Sequence, residues 1–355
     1  MVLEDIKTVL IIKLDHVGDV ILSTPVYQAI KETYPNSFLR VVVGPWAKSV
    51  LKNNPFVDEI IEYAAPWLDY NGYYESKDCN KAIHKAITKI LSRQNDLVIN
   101  LRDKDPYHQL FCIQFKENHL LSFDSGDPLD KFSNRFAKSK MLHALDKNKV
   151  LLSSIGISVS QLPKIYFDDH TRLKTHQLIR TVNVRVAIFP GAGVPWKKWP
   201  KENFIKICER LNQLNITPII IGLSSEAEFS EIIRGKVKVV DLIGKTNTIQ
   251  ELAALLSQCK LLLSNDSAPV HVAESVGTKC VVITKPNSLS EFGLKSDGNV
   301  MIGKKKCLNG IGCPSFVLKN ERDLPRSCYC IKSIGADTVE KALLRLLKNE
   351  LNTYS

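Results

Sequence analysis

Along the chain, short apolar runs alternate with longer stretches in which apolar positions recur every three or four residues. Residues 8–14, Thr-Val-Leu-Ile-Ile-Lys-Leu, read as a strand buried on both faces, the kind found inside parallel sheets. After the turn Asp15-His16-Val17-Gly18, residues 19–33 read as a helix that Tyr34-Pro35-Asn36 ends. Strands over 38–43, 59–63 and 97–101 and helices over 45–51 and 83–91 continue the series. Residues 64–80 and 103–135 are less regular, 136–155 return to a helical pattern, and 158–172 read as a connection. A second series starts at Arg185. Its strands cover 186–189, 218–222, 238–242, 260–263 and 280–284, and its helices 201–214, 225–234, 248–258 and 269–276. Thr248-Ile249-Gln250-Glu251 has the form of a capping box, Gly277 suits a helix end, and a last helix covers 337–349. Such alternation makes βαβ units and a parallel sheet covered on both faces. Two series predict two doubly wound α/β domains, with ligands beyond the carboxyl ends of the strands.

Composition narrows the class. Hydrophobic residues make up 44% and charged residues 24%, the globular range, which excludes a disordered or fibrous chain. No apolar run approaches the ~18 residues of a membrane span. Met1–Lys7 carries Glu4 and Asp5 and lacks a signal peptide's basic start, so a soluble, unsecreted protein is expected. The net charge of +11 is uneven: residues 1–180 hold 24 Lys and Arg against 21 Asp and Glu, residues 181–355 hold 24 against 16. A basic excess points to nucleic acid, a membrane surface or a phosphorylated ligand, or is merely a solvated face. No nucleic-acid-binding motif accompanies it. Cys79, Cys112, Cys208, Cys259 and Cys280 are scattered, mostly among apolar residues, and read as buried thiols of a reducing compartment. Cys307, Cys313, Cys328 and Cys330 cluster at a spacing that matches no standard zinc motif. Loop packing is the first reading for them, ahead of a structural metal or a redox pair.

Three loops after strands have the residue types for chemistry. In Leu14-Asp15-His16-Val17-Gly18-Asp19, Gly18 permits a close backbone approach to ligand. Asp19 is either a helix cap or a carboxylate with a catalytic task. The second task needs an apolar or carboxylate neighbourhood to raise its pKa, and Asp15 is a candidate neighbour. Pro190-Gly191-Ala192-Gly193 brings backbone N–H groups toward an anion, and Lys197 and Lys198, between Trp196 and Trp199, add charge for a diphosphate. Ser264-Asn265-Asp266-Ser267-Ala268-Pro269-Val270-His271 opens a helix whose N-terminus suits phosphate, with Ser267 and His271 one turn apart. No dinucleotide, P-loop, nucleophile-elbow or zinc-protease motif is present.

The ordered motifs resemble glycosyltransferase family 9, the bacterial heptosyltransferases of lipopolysaccharide inner core. They are Val9–Leu14 followed by Gly18-Asp19-Val20-Ile21-Leu22-Ser23-Thr24-Pro25; Tyr34-Pro35 and Asn54-Pro55-Phe56-Val57-Asp58-Glu59; Pro190-Gly191-Ala192 with Lys198-Trp199-Pro200; and Asn265–Ala273. The resemblance implies a GT-B fold, two Rossmann-like domains facing a central cleft. Residues 1–175 would bind the acceptor and 176–336 the nucleotide-sugar donor, with helix 337–352 packing back on the first domain. It implies inverting, metal-independent transfer from ADP-heptose, a substrate rather than a cofactor, to a lipid A-linked acceptor.

Carried onto this chain, the resemblance makes Asp19 the general base and Lys197 the group that neutralises the leaving diphosphate. It places Gly18, Ala192, Gly193, Lys198, Glu226, Asp266, Ser267, Ala268 and His271 around the donor. Asp15, His16, Arg102 and Arg135 are the candidates for the acceptor side. The chain departs from the family at Asp15 and His16, where small hydroxyl residues are usual. It departs again at Ala268, usually Gly, and at Thr284-Lys285-Pro286-Asn287-Ser288, which stands in place of Phe-Gly-Pro-Thr-Asp. The expected partners are a nucleotide sugar and an anionic glycolipid, met by a cytoplasmic protein peripheral to the inner membrane, with no nucleic acid. A transferase for another nucleotide sugar and a non-catalytic nucleotide-sugar or glycan binder are the alternatives.

Overall fold

The computed structural model describes residues 5–65, 90, 93–102, 119–123, 142–193, 197–285, 292–303 and 329–352. Two compact units divide between Tyr166 and Phe167, earlier than the boundary expected after residue 175. The helix Asp169–Ile179 explains the difference, because it packs on the helix Ile249–Leu256. There Gln258 Nε2 donates to Thr175 Oγ1 at 2.9 Å and Lys174 pairs with Glu251.

The first unit holds β1 (Thr8–Lys13), β2 (Phe38–Val43), β3 (Glu59–Glu62), β4 (Leu97–Asn100) and β5 (His119–Leu121). They pair in parallel in the order β3-β2-β1-β4-β5. Every residue of β4 and all but the first residue of β1 and β2 are buried. This is why these strands read as unbroken apolar runs. One charged residue inside the sheet is satisfied in place: Arg40 on β2 pairs with Glu59 on β3 at 2.8 Å and donates to Asn95 Oδ1 at 3.2 Å.

The helix expected over 19–33 is two helices, α1 (Val17–Ile21) and α2 (Thr24–Thr33). Pro25 has no N–H to give to Ile21, and its ring clashes with a carbonyl four residues back. The hydroxyls of Thr24 and Ser23 take up the released carbonyls, donating to Ile21 O at 2.8 Å and Val20 O at 2.7 Å. The short α3 (Lys48–Leu51) and α4 (Ala144–Ser153) complete the described helices of this unit, apart from the single helical residue Ile90. The rest of the expected helix 83–91 lies outside the described residues.

The second unit opens with α5 (Asp169–Ile179) and holds β6 (Val186–Phe189), β7 (Ile219–Gly222), β8 (Val240–Ile243), β9 (Leu261–Asn265), β10 (Lys279–Ile283) and β11 (Val300–Ile302). The order is β11-β10-β9-β6-β7-β8, again all parallel. Its helices are α6 (Lys201–Gln213), α7 (Ala227–Ile233), α8 (Ile249–Leu256), α9 (Ala268–Ser275), α10 (Tyr329–Lys332) and α11 (Ala336–Asn352). The expected capping box of α8 is half formed as written: Thr248 Oγ1 accepts from Glu251 N at 3.1 Å, while the Glu251 carboxylate turns to Asn247 N. In both sheets the strand order reverses beside the first strand of the unit, between β1 and β4 and between β6 and β9. That reversal is where doubly wound sheets bind ligands.

Three of the scattered cysteines are buried as expected, and burial pushes the thiols of Cys208 and Cys259 up to about 12. Val339, Leu343, Leu346 and Leu347 of the terminal helix α11 lie in the core of the second unit with Val186, Phe204 and Ile283, so its apolar stripe is buried in that unit. A direct consequence concerns Leu343, which is 1% exposed. Leu343→Ala is expected to cost about 2–5 kcal/mol, read from urea unfolding. A loss below about 1 kcal/mol would place this side chain outside the core.

Candidate active site

At the carboxyl end of β1 the chain leaves the sheet through Leu14 and Asp15 and enters α1. His16 occupies the N-cap position and makes no side-chain cap bond. Asp19 is the third residue of α1, so it is not the cap. Lys13, the last residue of β1, is 7% exposed although it is a lysine. Its ammonium donates to Asp15 Oδ2 at 3.0 Å and to Leu101 O at 3.1 Å. Arg102, just beyond the adjacent β4, brings Nη1 to 3.5 Å from Asp15 Oδ1 and donates to Leu14 O at 2.7 Å. The backbone N–H of Arg102 is held by Asn100 Oδ1 at 3.0 Å, and Asn100 is fixed by Ser122 Oγ at 2.8 Å. Asp15 is therefore clamped between two cations from neighbouring strands.

The two carboxylates of this loop have opposite electrostatics. Burial opposes charge on Asp15, but Lys13, then Arg102, outweigh it and lower the pKa to about 2. Burial, and next the Asp15 charge, push Asp19 up to about 7 against the pull of Lys13 and Arg102. A carboxyl that titrates near neutrality, beside one that stays ionised, has the pattern of a general base and its electrostatic partner.

In the second unit, Asn265 ends β9 fully buried. Its Nδ2 donates to Pro190 O at 2.8 Å and Gly191 O at 3.1 Å, and its Oδ1 accepts from Trp199 N at 3.1 Å. One side-chain amide thus locks the loop after β6 to the loop after β9. Trp199 is anchored at its other end by Nε1 donating to Ile334 O at 2.8 Å, with Phe204 edge-on at 4.9 Å. Lys197, two residues earlier, faces Asp266 Oδ2 at 3.7 Å. Glu226, on the loop after β7, accepts from Leu223 N at 2.8 Å. Its carboxylate lies against Gly191, where a Cβ would stand 2.7 Å from Oε1.

Ala192 is buried, whereas a Cβ on Gly193 would meet open space. Ser267 is the N-cap of α9 but makes no side-chain cap bond; its hydroxyl donates to Asn265 O at 3.2 Å. The backbone at the start of α9, with Ala268 first, therefore carries no side-chain cap. His271 is buried within α9, and Lys198 is half-buried near Glu228 of α7. Ala192, Gly193, Lys197, Glu226, Asp266, Ser267 and Ala268 thus gather at one edge of the second sheet. Asp15, Gly18, Asp19 and Arg102 gather at the same edge of the first, with His16 exposed beside them.

Residues 83–309 match glycosyltransferase family 9 (heptosyltransferase). The chain belongs to this family. It is 26% identical over 277 residues to lipopolysaccharide heptosyltransferase 3 of Escherichia coli K12, covering 74% of this chain and 78% of that one. It shares the fold of the glycosyl transferase family 9 protein from Veillonella parvula, with a TM-score of 0.77 over 97% of each chain at 21% identity. It also shares the fold of E. coli ADP-heptose lipopolysaccharide heptosyltransferase II, with a TM-score of 0.71 over 97% and 99% of the chains at 18% identity. The fold is the two-unit GT-B class of this family, and the protein is a glycosyltransferase.

Three residues at the sites of this family 9 glycosyltransferase do not stand out in its sequence. Lys13 reads as one position of an apolar strand, although a lysine inside a buried run is itself a signal of a paired charge. Asn265 reads only as part of the loop after β9, and Trp46, whose Nε1 donates to Asp15 O at 2.9 Å, reads as part of the helix over 45–51. Arg135 and the cysteines Cys307, Cys313 and Cys328 lie outside the described residues; Cys330 is buried in the second unit's core. Among the described residues no three His, Cys, Asp or Glu side chains gather as metal ligands.

The Asp19 carboxyl has a consequence for stability. Its pKa is about 7 in the fold against an ordinary value of 3.8, so the folded state holds a proton that the unfolded state has lost. Stability contributed by that proton is complete below about pH 4 and is lost as pH rises to about 7. Asp19→Asn removes the loss. The variant is expected to melt above the wild type by a margin that grows from pH 5 to pH 8, at about 2–4 °C per kcal/mol. A margin that does not change with pH would contradict the raised pKa.

Proposed function

We propose that this glycosyltransferase moves heptose from ADP-heptose to a lipid A-linked inner-core acceptor, with inversion and without a metal ion. The observation that carries the reading is the Asp15–Asp19 pair at the switch point of the first sheet. The names of the relatives in E. coli support the donor and the acceptor class.

In this reading Asp19 takes the proton of an acceptor hydroxyl while that oxygen attacks the anomeric carbon. The bond from that carbon to the diphosphate oxygen breaks as the new one forms, so the configuration inverts and ADP leaves. Asp19 must be ionised to act, and a pKa near the working pH suits it both to accept the proton and to bind substrate beforehand. Asp15 keeps its charge throughout and orients the pair. On the donor side the uncapped start of α9 and Lys197 meet the diphosphate. Lys197 exchanges its pairing with Asp266 for the charge that grows on the leaving group, the role metals fill in other transferases. Gly193 leaves room for backbone approach, and Glu226 stands where a ribose hydroxyl would donate. Arg102 and His16 border the acceptor. The reading places the protein at the cytoplasmic face of the inner membrane. No described helix is long and apolar enough to cross a membrane, and the basic excess of residues 181–355 suits an anionic surface.

Release of ADP from ADP-heptose in the presence of a lipid A-type acceptor tests this. Asp19→Asn is expected to lower kcat by about 10²–10⁴-fold while ADP affinity stays within about twofold of wild type. Lys197→Ala is expected to lower kcat by about 10²–10³-fold, and EDTA to leave the rate unchanged. Turnover with UDP- or GDP-sugars but not ADP-heptose would move the donor assignment, and a strict metal requirement would remove the Lys197 role.

A further inference from the structure

Trp46 sits in the short turn Pro45–Ala47 that follows β2, and this turn packs against α1, the helix that carries Asp19. The residue is 41% exposed, although tryptophan is among the most buried residues on average. Exposure usually leaves a large side chain free to move, but two contacts hold this one. Nε1 donates to Asp15 O at 2.9 Å, so the ring is tied to the loop of the two carboxylates. Its benzo edge lies directly over Gly44, where a Cβ would fall inside van der Waals contact of Cζ2, Cε2 and Cη2.

Gly44 has φ −66° and ψ 149°, a conformation open to every residue. Backbone geometry therefore does not call for glycine there; the approach of the ring does. The chain thus backs the ring on one side, satisfies its one polar atom, and leaves part of it exposed beside the loop that leads into α1. A rigid aromatic ring with an open face is a low-entropy contact surface. A pyranose offers the matching face, where its axial C–H bonds are apolar and the hydroxyls point outward around the rim.

We infer that Trp46 is the platform on which the sugar ring of the acceptor stacks, bringing its hydroxyl to Asp19. This rests on the reading that the first unit receives the acceptor. The class of ligand is a glycan with an exposed C–H face, and the contact is made to the sugar rather than to lipid chains or phosphate.

The test uses a deacylated, water-soluble lipid A-linked oligosaccharide. Its Kd is measured by calorimetry and its turnover with ADP-heptose in the wild type, Trp46→Ala, Trp46→Phe and Gly44→Ala. Trp46→Ala is expected to weaken binding about tenfold, with the KM for ADP-heptose and the pH dependence of kcat unchanged. Trp46→Phe, which keeps a flat ring, is expected to recover most of the affinity. Gly44→Ala, which keeps the tryptophan but displaces it, is expected to weaken binding in the same direction. Unchanged affinity in Trp46→Ala would overturn the inference. So would a loss confined to the acylated acceptor in anionic vesicles, which would make Trp46 a membrane anchor. A fall in kcat with a shifted pH profile and unchanged Kd would overturn it too, leaving the indole only a prop for the Asp15 loop. Wild-type binding without turnover would refute the proposed reaction while the affinities still decide the role of Trp46. Absence of wild-type binding would refute both.

Discussion

Two cations, Lys13 at the end of β1 and Arg102 beyond β4, converge on the carboxylate of Asp15. Taking these charges out of water is costly, and the arrangement survives because each cation also donates to a backbone carbonyl of the neighbouring strand end. The clamp closes the gap at the point where strand order reverses. It also fixes the sign of the charge beside Asp19. Desolvation of the half-buried Asp19, and next the charge of Asp15 locked as an anion four residues before it, keep that second carboxyl from ionising at the usual pH. The first unit's candidate chemistry follows from this ion cluster, and the turn bearing Trp46 is attached to the same loop through the Asp15 carbonyl.

The second unit solves the same architectural problem with a neutral group. At the reversal between β6 and β9, the Asn265 amide joins two loops through three hydrogen bonds to backbone. Holding the loops takes no charge; Lys197 on the same loop faces Asp266 at 3.7 Å, and the start of α9 has no side-chain cap. In the proposed reaction the charged clamp falls in the unit that moves a proton and the neutral one in the unit that meets the diphosphate. The two sheets share topology and site location but differ in the electrostatics built there.

Much of this was legible in the sequence because strands buried on both faces write themselves as unbroken apolar runs. Strands β1, β2, β4, β6, β7 and β9 appear within a residue or two of where the runs stand. The strands β5 and β11 have three residues each at sheet edges, too short to show a period. The break between α1 and α2 is carried by Pro25, while the apolar spacing runs through it. In the site, Gly18-Asp19 and Pro190–Gly193 stood out through residue type, but the state of Asp19 did not. It depends on burial and on the charge of Asp15, which Lys13 and Arg102 hold ionised, the second brought beside it by the pairing of β1 with β4. Gly44 carries no backbone signal, since the ring of Trp46, two residues on in the chain, explains it, and the sequence does not show that the ring folds back over it.

The pH dependence of kcat/KM, measured for the wild type and for Asp15→Asn, tests the carboxylate pair most directly. In the wild type kcat/KM is expected to rise with pH and to reach half its maximum near pH 7, where Asp19 loses its proton. Removing the Asp15 charge leaves Lys13 and Arg102 acting on Asp19 alone, so the midpoint is expected to move about 1–3 units toward acid. A midpoint that stays in place in Asp15→Asn, or a wild-type rate that is flat from pH 5 to pH 8, would contradict the account.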